Sequence, residues 1–212
     1  MDLPYCFPNL GVNYSNKALI IFIRNPEKGK VKTRLARTLG DESALAIYNA
    51  LLRHTRDIAL TLTIKRFLFY SHYINQDDSW KQEEFVKKLQ QGEDLGARMA
   101  NAFSMALQTF NKAVIIGSDC PELTSDIIQQ AFVALDTHPY AIGPALDGGY
   151  YLLGMRTPSP WLFNNMEWST GYVLENTIQR IEAQNSTYQL LPTLSDVDEA
   201  EDWLRLQHLV MK

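Results

Sequence analysis

The sequence predicts an α/β protein of three layers (α/β/α), in which a mixed, mostly parallel sheet lies between two layers of helices. Two observations lead to this prediction. Over the first two thirds of the chain, short apolar runs that suit buried strands alternate with longer amphipathic stretches that suit helices. In the last third the strand-like runs lie closer together, which favours some antiparallel pairing within the same sheet.

The individual elements are predicted from apolar runs, caps and periodicity. Residues 18–23 (ALIIFI) form a continuous apolar run, which is typical of a strand buried on both faces. A helix over residues 41–60 can begin at Asp41 or Ser43, because both residue types are good N-caps. The sequence further predicts strands over 65–71, 114–116, 140–144, 149–155 and 188–191, and helices over 80–89, 95–110, 124–135, 171–183 and 199–211.

Composition indicates one globular domain over residues 18–212, preceded by an N-terminal extension over residues 1–17. The 46% hydrophobic and 21% charged content is that of a folded protein, not a disordered one. A net charge of −4 argues against a general attraction to nucleic acid or anionic membranes. No apolar run approaches the roughly 20 residues of a membrane span, and the extension lacks the features of a signal peptide. We therefore expect a cytoplasmic protein with neither nucleic acid nor membrane as a partner.

An aspartate directly follows the strand predicted over residues 114–116. The stretch I-I-G-S-D-C-P places Asp119 just past the end of the strand, where open α/β sheets bind their ligands. A carboxylate there can hold Mg²⁺ or Mn²⁺ together with substrate phosphates, which makes Asp119 a candidate metal ligand and catalytic residue. The alternative is that Asp119 only braces its loop through backbone N–H groups.

A basic loop follows the first predicted strand. Four cations crowd seven residues in the stretch K-G-K-V-K-T-R, and Gly29 can let the backbone approach a ligand closely. The loop lacks the spacing of a Walker motif, and no G-x-G-x-x-G occurs in the chain. A solvated loop is the alternative, but in a net-acidic protein this cluster favours a phosphate site built from Lys28, Lys32 and Arg34.

Three further stretches are candidates for the site. Asp147, followed by Gly148, Gly149 and Tyr150, can be a hairpin turn or the floor of a substrate pocket in which the acid acts on an acceptor hydroxyl. Arg98, on a predicted helix, can pair with a carboxylate or reach a ligand. The block S-D-V-D-E-A-E-D-W is consistent with a helix N-terminus that favours negative charge, or with a second metal ligand. Its acids are Asp196, Asp198, Glu199, Glu201 and Asp202.

Several common catalytic arrangements are absent from the sequence. The four histidines have no spacing that suits zinc or a catalytic triad, and there is no G-x-S-x-G. These absences disfavour a hydrolase that uses a serine or cysteine nucleophile.

Six blocks of the sequence, in order, resemble the DUF2064 family. They are P-E-K-G-K-V-K-T-R-L, G-E-D-L-G-A-R-M, I-I-G-S-D-C-P-E-L, G-P-A-L-D-G-G-Y-Y-L-L-G, M-E-W-S-T and S-D-V-D-E-A-E-D-W. This family is grouped with GT-A-type glycosyltransferases, so the resemblance implies a GT-A-like nucleotide-diphospho-sugar transferase fold. More distantly, the blocks look like those of small nucleotidyltransferases.

The resemblance also implies roles for particular residues. Asp119 stands where such proteins place their first metal-binding aspartate, and Asp198 stands where nucleotidyltransferases complete the metal site. Lys28, Lys32 and Arg34 fall in the loop that holds nucleotide phosphates. Two departures are visible: the glycosyltransferase D-x-D appears as S-D-C with a single acid, and the loop has fewer glycines than in nucleotidyltransferases.

Three functions remain open at this point. The first is a metal-dependent glycosyltransferase that uses a nucleotide-sugar donor with Mg²⁺ or Mn²⁺. The second is a nucleotidyltransferase that moves NMP from NTP to a small phosphorylated or carboxylated acceptor. The third is a non-catalytic nucleotide-binding protein of the same fold. In each case the expected small-molecule partner is a nucleotide or a nucleotide sugar.

Overall fold

The structure, a computed structural model, describes residues 16–211. Most of the predicted extension over residues 1–17 therefore lies outside the described residues. The strands are β1 Lys17–Ile23, β2 Lys65–Tyr70, β3 Val86–Leu89, β4 Lys112–Ile116, β5 Tyr140–Pro144, β6 Tyr150–Met155 and β7 Tyr188–Leu190. The helices are α1 Thr33–Leu39, α2 Asp41–Leu60, α3 Leu95–Leu107, α4 Ser125–Thr137, α5 Val173–Ala183 and α6 Ala200–Leu206, with short 3-10 turns at Pro160–Leu162 and Gln207–Leu209.

All of these strands form one sheet in the order β3-β2-β1-β4-β6-β5-β7. Parallel pairs join β3 to β2, β2 to β1, β1 to β4 and β5 to β7. Strand β6 runs antiparallel to both of its neighbours, β4 and β5. Within residues 16–211, β6 is thus the one strand that opposes the others, and the predicted mixed, mostly parallel sheet is confirmed.

Helices cover both faces of the sheet because neighbouring strand residues point to opposite sides. On one face, Leu19 and Ile21 of β1 share a core with residues of α2 and α4, such as Leu52 and Phe132. On the other face, Ile20 packs in a second core with residues of α3 and α5. The sheet therefore lies between two helical layers, as predicted.

A third, smaller core fixes the last part of the chain. Leu35 of α1 and Leu51 of α2 pack with Val197, and with Trp203 and Leu206 of α6. Because Val197 is fully buried in this cluster, the acidic block on either side of it is held firmly against the first two helices.

Two predictions from the sequence are wrong. Residues 80–89 were expected to form a helix, but Val86–Leu89 is a short edge strand. Its four residues, V-K-K-L, give no apolar alternation to detect, because the two that are less exposed are a valine and a lysine whose side chain is buried against Asp78. The end of the basic loop, Thr33 and Arg34, is predicted to be irregular but forms the start of helix α1, whose N-cap Lys32 offers no capping side chain.

The predicted helix starts at residues 95 and 124 are explained by their caps. The Asp94 side chain accepts a hydrogen bond from the backbone N–H of Ala97, and the Thr124 hydroxyl accepts one from Ile127. The last predicted helix is shorter than expected, because α6 passes into a 3-10 turn. In the part of the chain that the structure describes, no helix is both long enough and apolar enough to span a membrane.

The strand directions determine where the candidate residues meet. The carboxyl ends of β1, β4, β5 and β7 all lie at one edge of the sheet. The segments that follow these strands carry Lys32, Asp119, Asp147 and the acids of the 195–202 block. In open α/β sheets this is the edge at which ligands bind.

Candidate functional site

The centre of the site is an ammonium group shared by two carboxylates. Lys32 Nζ lies 2.9 Å from Asp119 Oδ2 and 3.3 Å from Asp198 Oδ1. The Lys32 side chain is 7% exposed, whereas the side chains of Asp119 and Asp198 are 40% and 41% exposed. Two carboxylates that reach solvent thus converge on a cation buried beneath them.

A backbone hydrogen bond brings the two acidic segments together. The N–H of Val197 donates to the carbonyl oxygen of Asp119 at 2.9 Å. The side chain of Val197 is buried in the third core, so the residues on either side of it, Asp196 and Asp198, are held close to Asp119. The burial of Val197 therefore fixes the positions of the two acids on either side of it.

The lysine is placed by an uncommon backbone conformation. Lys32 has a φ of 46° in the left-handed region, directly before α1. This conformation is unfavourable for a residue with a side chain, and it occurs here where the chain turns from the basic loop into the helix. Such positions are concentrated at functional sites.

The electrostatics of the cluster keep both partners charged. Burial opposes the charge of Lys32, but the Asp119 and Asp198 carboxylates outweigh it and raise the pKa of the ammonium group. Burial would likewise raise the pKa of Asp119, but Lys32 outweighs that effect and lowers it. The ion pair is therefore intact at neutral pH.

Asp196 is a third acid at this site, and the sequence indicated it only as one of five candidates for a second metal ligand. Its Oδ1 atom is buried and has no hydrogen-bond partner within residues 16–211. Burial, followed by the nearby Asp119 carboxylate, raises the pKa of Asp196 to about 8. The available signal was its spacing of two from Asp198, because alternate residues around a buried valine lie on the same side of an extended segment.

Of the other cations predicted to bind phosphate, Arg34 reaches the cluster and Lys28 does not. Arg34 Nη1 lies 3.5 Å from Asp198 Oδ2, and its side chain is mostly exposed. Lys28 instead pairs with Glu42 of α2 at 2.6 Å on the surface. Gly29 has a φ of 75°, which favours glycine, in the turn closed by the N–H of Lys30.

Arg98 interacts with its own loop. Its Nε donates a hydrogen bond to the carbonyl oxygen of Gly92 at 3.1 Å, which braces the segment before α3. The structure records no contact between Arg98 and the acids of the cluster. Its predicted phosphate contact stays a prediction.

The predicted substrate-binding turn lies at the same edge of the sheet. Asp147 is exposed, and its Oδ1 accepts a hydrogen bond from the N–H of Gly149. Its charge is close enough to contribute to the raised pKa of Asp196. Gly148 has a φ of 86° and lies against the backbone of Gly171. The hydroxyl of Tyr150 is buried in the interior beneath α5, and the predicted substrate contact of this residue stays a prediction.

The acids present fit a divalent cation as a partial ligand set. Two carboxylate oxygens already share one cation, and Mg²⁺ is usually held by one or two carboxylates together with waters and substrate phosphates. Among residues 16–211, no three acidic, histidine or cysteine side chains are arranged to hold a metal ion by themselves. Asp119 and Asp198 would therefore hold the ion together with oxygens from waters and from a substrate.

The fold, together with the position of this charged cluster, indicates which class of proteins the chain belongs to. The chain has the nucleotide-diphospho-sugar transferase fold, with charged groups at the edge where open α/β sheets bind their ligands. It belongs to the DUF2064 family, described as "Uncharacterized protein conserved in bacteria", whose model matches residues 54–170. The resemblance noted in the sequence is thereby confirmed. No curated protein matches the chain.

Solved structures support the same assignment of fold. A protein of Desulfovibrio desulfuricans G20, named provisionally as a nucleotide-diphospho-sugar transferase, is 30% identical with a TM-score of 0.80, over 87% of this chain and 83% of that one. Rv0371C of Mycobacterium tuberculosis H37Rv, in complex with manganese, is 11% identical (TM-score 0.54; 94% and 100% covered). The inositol-1-phosphate CTP transferase of T. maritima is 12% identical (TM-score 0.56; 93% and 96% covered). The last two show the fold alone.

Proposed function

We propose that this protein is a transferase that uses a nucleotide-activated donor, whose phosphates bind at Lys32, Asp119 and Asp198 together with Mg²⁺ or Mn²⁺. One observation carries the proposal. Acids 79 positions apart in the chain, on Asp119 and Asp198, meet at the ligand-binding edge of the sheet around a single buried ammonium group.

Stability alone is a poor explanation for this arrangement. Burying an ammonium group is costly, and a buried ion pair often contributes no more stability than apolar residues of similar volume. The carboxylates are also about 40% exposed, so they present charged oxygens to solvent instead of sealing a core. A site that must accept a polyanion and a cation has a use for both features.

The roles of the residues follow from their charges. Asp119 and Asp198 would hold the divalent ion, which, when bound, neutralises charge on the donor phosphates. Lys32 and Arg34 would bind phosphate oxygens and share the charge that develops on the leaving group. Asp147, exposed at the same edge, would orient an acceptor hydroxyl and remove its proton.

Glycosyl transfer from a nucleotide sugar is the first form of this proposal. The 30% identical structure carries the name of a nucleotide-diphospho-sugar transferase. In that reaction the acceptor oxygen bonds to the anomeric carbon, the bond from that carbon to the phosphate oxygen breaks, and a nucleoside diphosphate leaves. Lys32 and Arg34 would share the negative charge that accumulates on this leaving group.

Nucleotidyl transfer is the second form, and one observation favours it. The stretch S-D-C supplies a single acid, and the second acid comes from Asp198 in the last block, as the resemblance to nucleotidyltransferases implies. A phosphate or carboxylate oxygen of the acceptor would attack the α-phosphate of an NTP, and pyrophosphate would leave. The structural likeness to a CTP transferase is consistent with this form.

The proposal is tested first by binding. Calorimetry with Mn²⁺ and a panel of nucleotides and nucleotide sugars should identify a ligand of the wild-type protein. Asp119→Asn should weaken its binding at least about 100-fold, because a charged metal ligand is replaced by a neutral amide. Asp126→Asn, which changes an exposed acid at the start of α4, is the matched control and should bind as wild type. Equal binding by Asp119→Asn and wild type would refute the assignment.

Analysis of the reaction products then distinguishes glycosyl transfer from nucleotidyl transfer. Release of pyrophosphate from an NTP in the presence of acceptor indicates nucleotidyl transfer. Release of a nucleoside diphosphate from a nucleotide sugar indicates glycosyl transfer. Binding without either product over a broad acceptor panel would leave a non-catalytic nucleotide-binding protein.

A further inference from the structure

We propose that Lys32 couples metal binding to nucleotide binding. In the free protein its ammonium group takes the place of the metal between the two carboxylates, and the phosphates of the nucleotide must draw it away before a divalent ion binds tightly. This inference rests on the proposed function and goes beyond it, because it predicts that neither ligand binds well alone.

The first support is that the ammonium group and the metal would compete for the same atoms. Lys32 Nζ contacts Asp119 Oδ2 and Asp198 Oδ1, one oxygen from each of the two proposed ligands. Metal–oxygen distances for Mg²⁺ are about 2.0–2.1 Å, shorter than either contact of the ammonium group. An ion between the two oxygens would thus fall within repulsive range of the buried positive charge.

The second support is that the protein supplies an incomplete ligand set. In the described part of the chain, no third acidic, histidine or cysteine side chain completes a metal site. A diphosphate would provide what is missing in two ways. Its oxygens would serve as further ligands, and its negative charge would be a new partner for the ammonium group.

The third support is a contrast within the same loop. Lys28 and Lys30 form surface pairs with Glu42 and Glu27, and their side chains are 56% and 72% exposed. Lys32 alone of these three is buried and shared by two acids. Its four-carbon stem can swing by rotamer changes while the backbone at the start of α1 stays in place.

The experiment measures Mn²⁺ binding with and without a nucleoside diphosphate. ADP, CDP, GDP and UDP are the probes, and the one that binds the wild-type protein best with Mn²⁺ is carried forward. Free Mn²⁺ is followed by electron paramagnetic resonance, with protein-free titrations to subtract the metal bound by the nucleotide itself. We expect the nucleotide to tighten Mn²⁺ binding to wild type at least about tenfold, and the metal to tighten nucleotide binding by the same factor.

Lys32→Met should bind Mn²⁺ alone about tenfold more tightly than wild type and should show a smaller mutual effect, because no ammonium group remains to be displaced while the phosphate oxygens still add ligands to the metal. Lys30→Met removes the same charge from the same loop and should behave as wild type. Lys32→Gln is a second variant in case the methionine variant melts early, and thermal melts of all variants establish that they are folded.

The outcomes distinguish the two proposals. If wild type with Mn²⁺ binds neither a nucleoside diphosphate nor any nucleotide or nucleotide sugar of the calorimetric panel, the proposed function fails, and this inference fails with it. If it binds a ligand of that panel but no nucleoside diphosphate, only the inference is overturned. If wild type binds both ligands but independently, only the inference is overturned. It is also overturned if the Lys32 variants fold and gain no affinity for Mn²⁺ alone. A gain in Lys30→Met equal to that in Lys32→Met would show a general effect of charge and would likewise overturn it.

Discussion

Two regions at the same edge of the sheet differ in how they are built. In the cluster around Lys32, charges from the segments after β1, β4 and β7 converge over long stretches of sequence. In the turn that carries Asp147, the side chain bonds to Gly149, two residues away. The second region has the stronger local motif, because Asp-Gly is a turn signal. The hydrogen bond of the Asp147 side chain is local, however, whereas Asp119 in the inconspicuous S-D-C stretch takes part in a site assembled from segments far apart in the chain.

The comparison teaches that a glycine-rich motif can serve packing as well as chemistry. A Cβ atom added at Gly148 would lie 2.1 Å from the carbonyl oxygen of Gly171. The carbonyl oxygen of Gly148 also accepts a hydrogen bond from the N–H of Leu174 in α5. The turn is thus a joint between the sheet and α5, and this role is independent of any ligand.

The largest effect that tests this comparison is expected from Gly148→Ala. The left-handed φ and the overlap with backbone should together cost about 3 kcal/mol or more of unfolding free energy. For a chain of this size, thermal denaturation should show a fall in melting temperature of about 10 °C. Gly149→Ala is the matched control, because its Cβ would meet only the Asp147 side chain, at 3.1 Å. Equal melting temperatures for the two variants would mean that the turn is not a packing joint.

A smaller and more selective effect is expected from Asp147→Asn. The amide oxygen can still accept the hydrogen bond from Gly149, so the turn should be retained. If Asp147 is the base for the acceptor, turnover should fall about 100-fold while nucleotide affinity stays within a few-fold of wild type. This is measured by steady-state kinetics and calorimetry on one preparation. A large loss of nucleotide affinity would instead indicate that Asp147 belongs to the metal and phosphate cluster. Unchanged turnover would mean that Asp147 serves only to form the turn.

Much of the fold could be predicted because its determinants are local. The run ALIIFI gave β1, and the caps at Asp94 and Thr124 gave the starts of α3 and α4. The position of Asp119 at the end of β4 followed from the apolar run before it. Strand β3 was missed because its four residues, V-K-K-L at the edge of the sheet, carry no periodic apolar signal. Helix α1 was missed because it is short and has no capping side chain at its start.

The contacts within the site could not be derived in the same way. Lys32 lies 87 residues from Asp119 and 166 residues from Asp198 in the chain. Local patterns indicate that each segment ends at the same edge, but they do not indicate which of four nearby cations turns inward. That choice depends on the left-handed conformation of Lys32 and on the anchoring of Val197 in the third core, and both are properties of the folded chain.

The smallest expected effect separates two acids within a single block. Asp202 Oδ2 accepts hydrogen bonds from the N–H groups of Asp198 and Glu199, so it caps the start of α6. Asp202→Ala should therefore cost about 1 kcal/mol, a fall of about 3 °C in melting temperature. Glu201→Ala, an exposed acid in the same turn, should change it by less than about 1 °C.

Nucleotide binding provides the converse measurement, in which Asp202 is compared with Asp198. Asp198→Asn should lose the metal-dependent binding, whereas Asp202→Ala should keep it within about threefold, because a cap acts on the helix and not on the ligand. If both variants lost binding equally, the distinction between a ligand acid and a capping acid would be wrong. The whole 195–202 block would then belong to the site, and the convergence on Lys32 would extend one helical turn further than the contacts indicate.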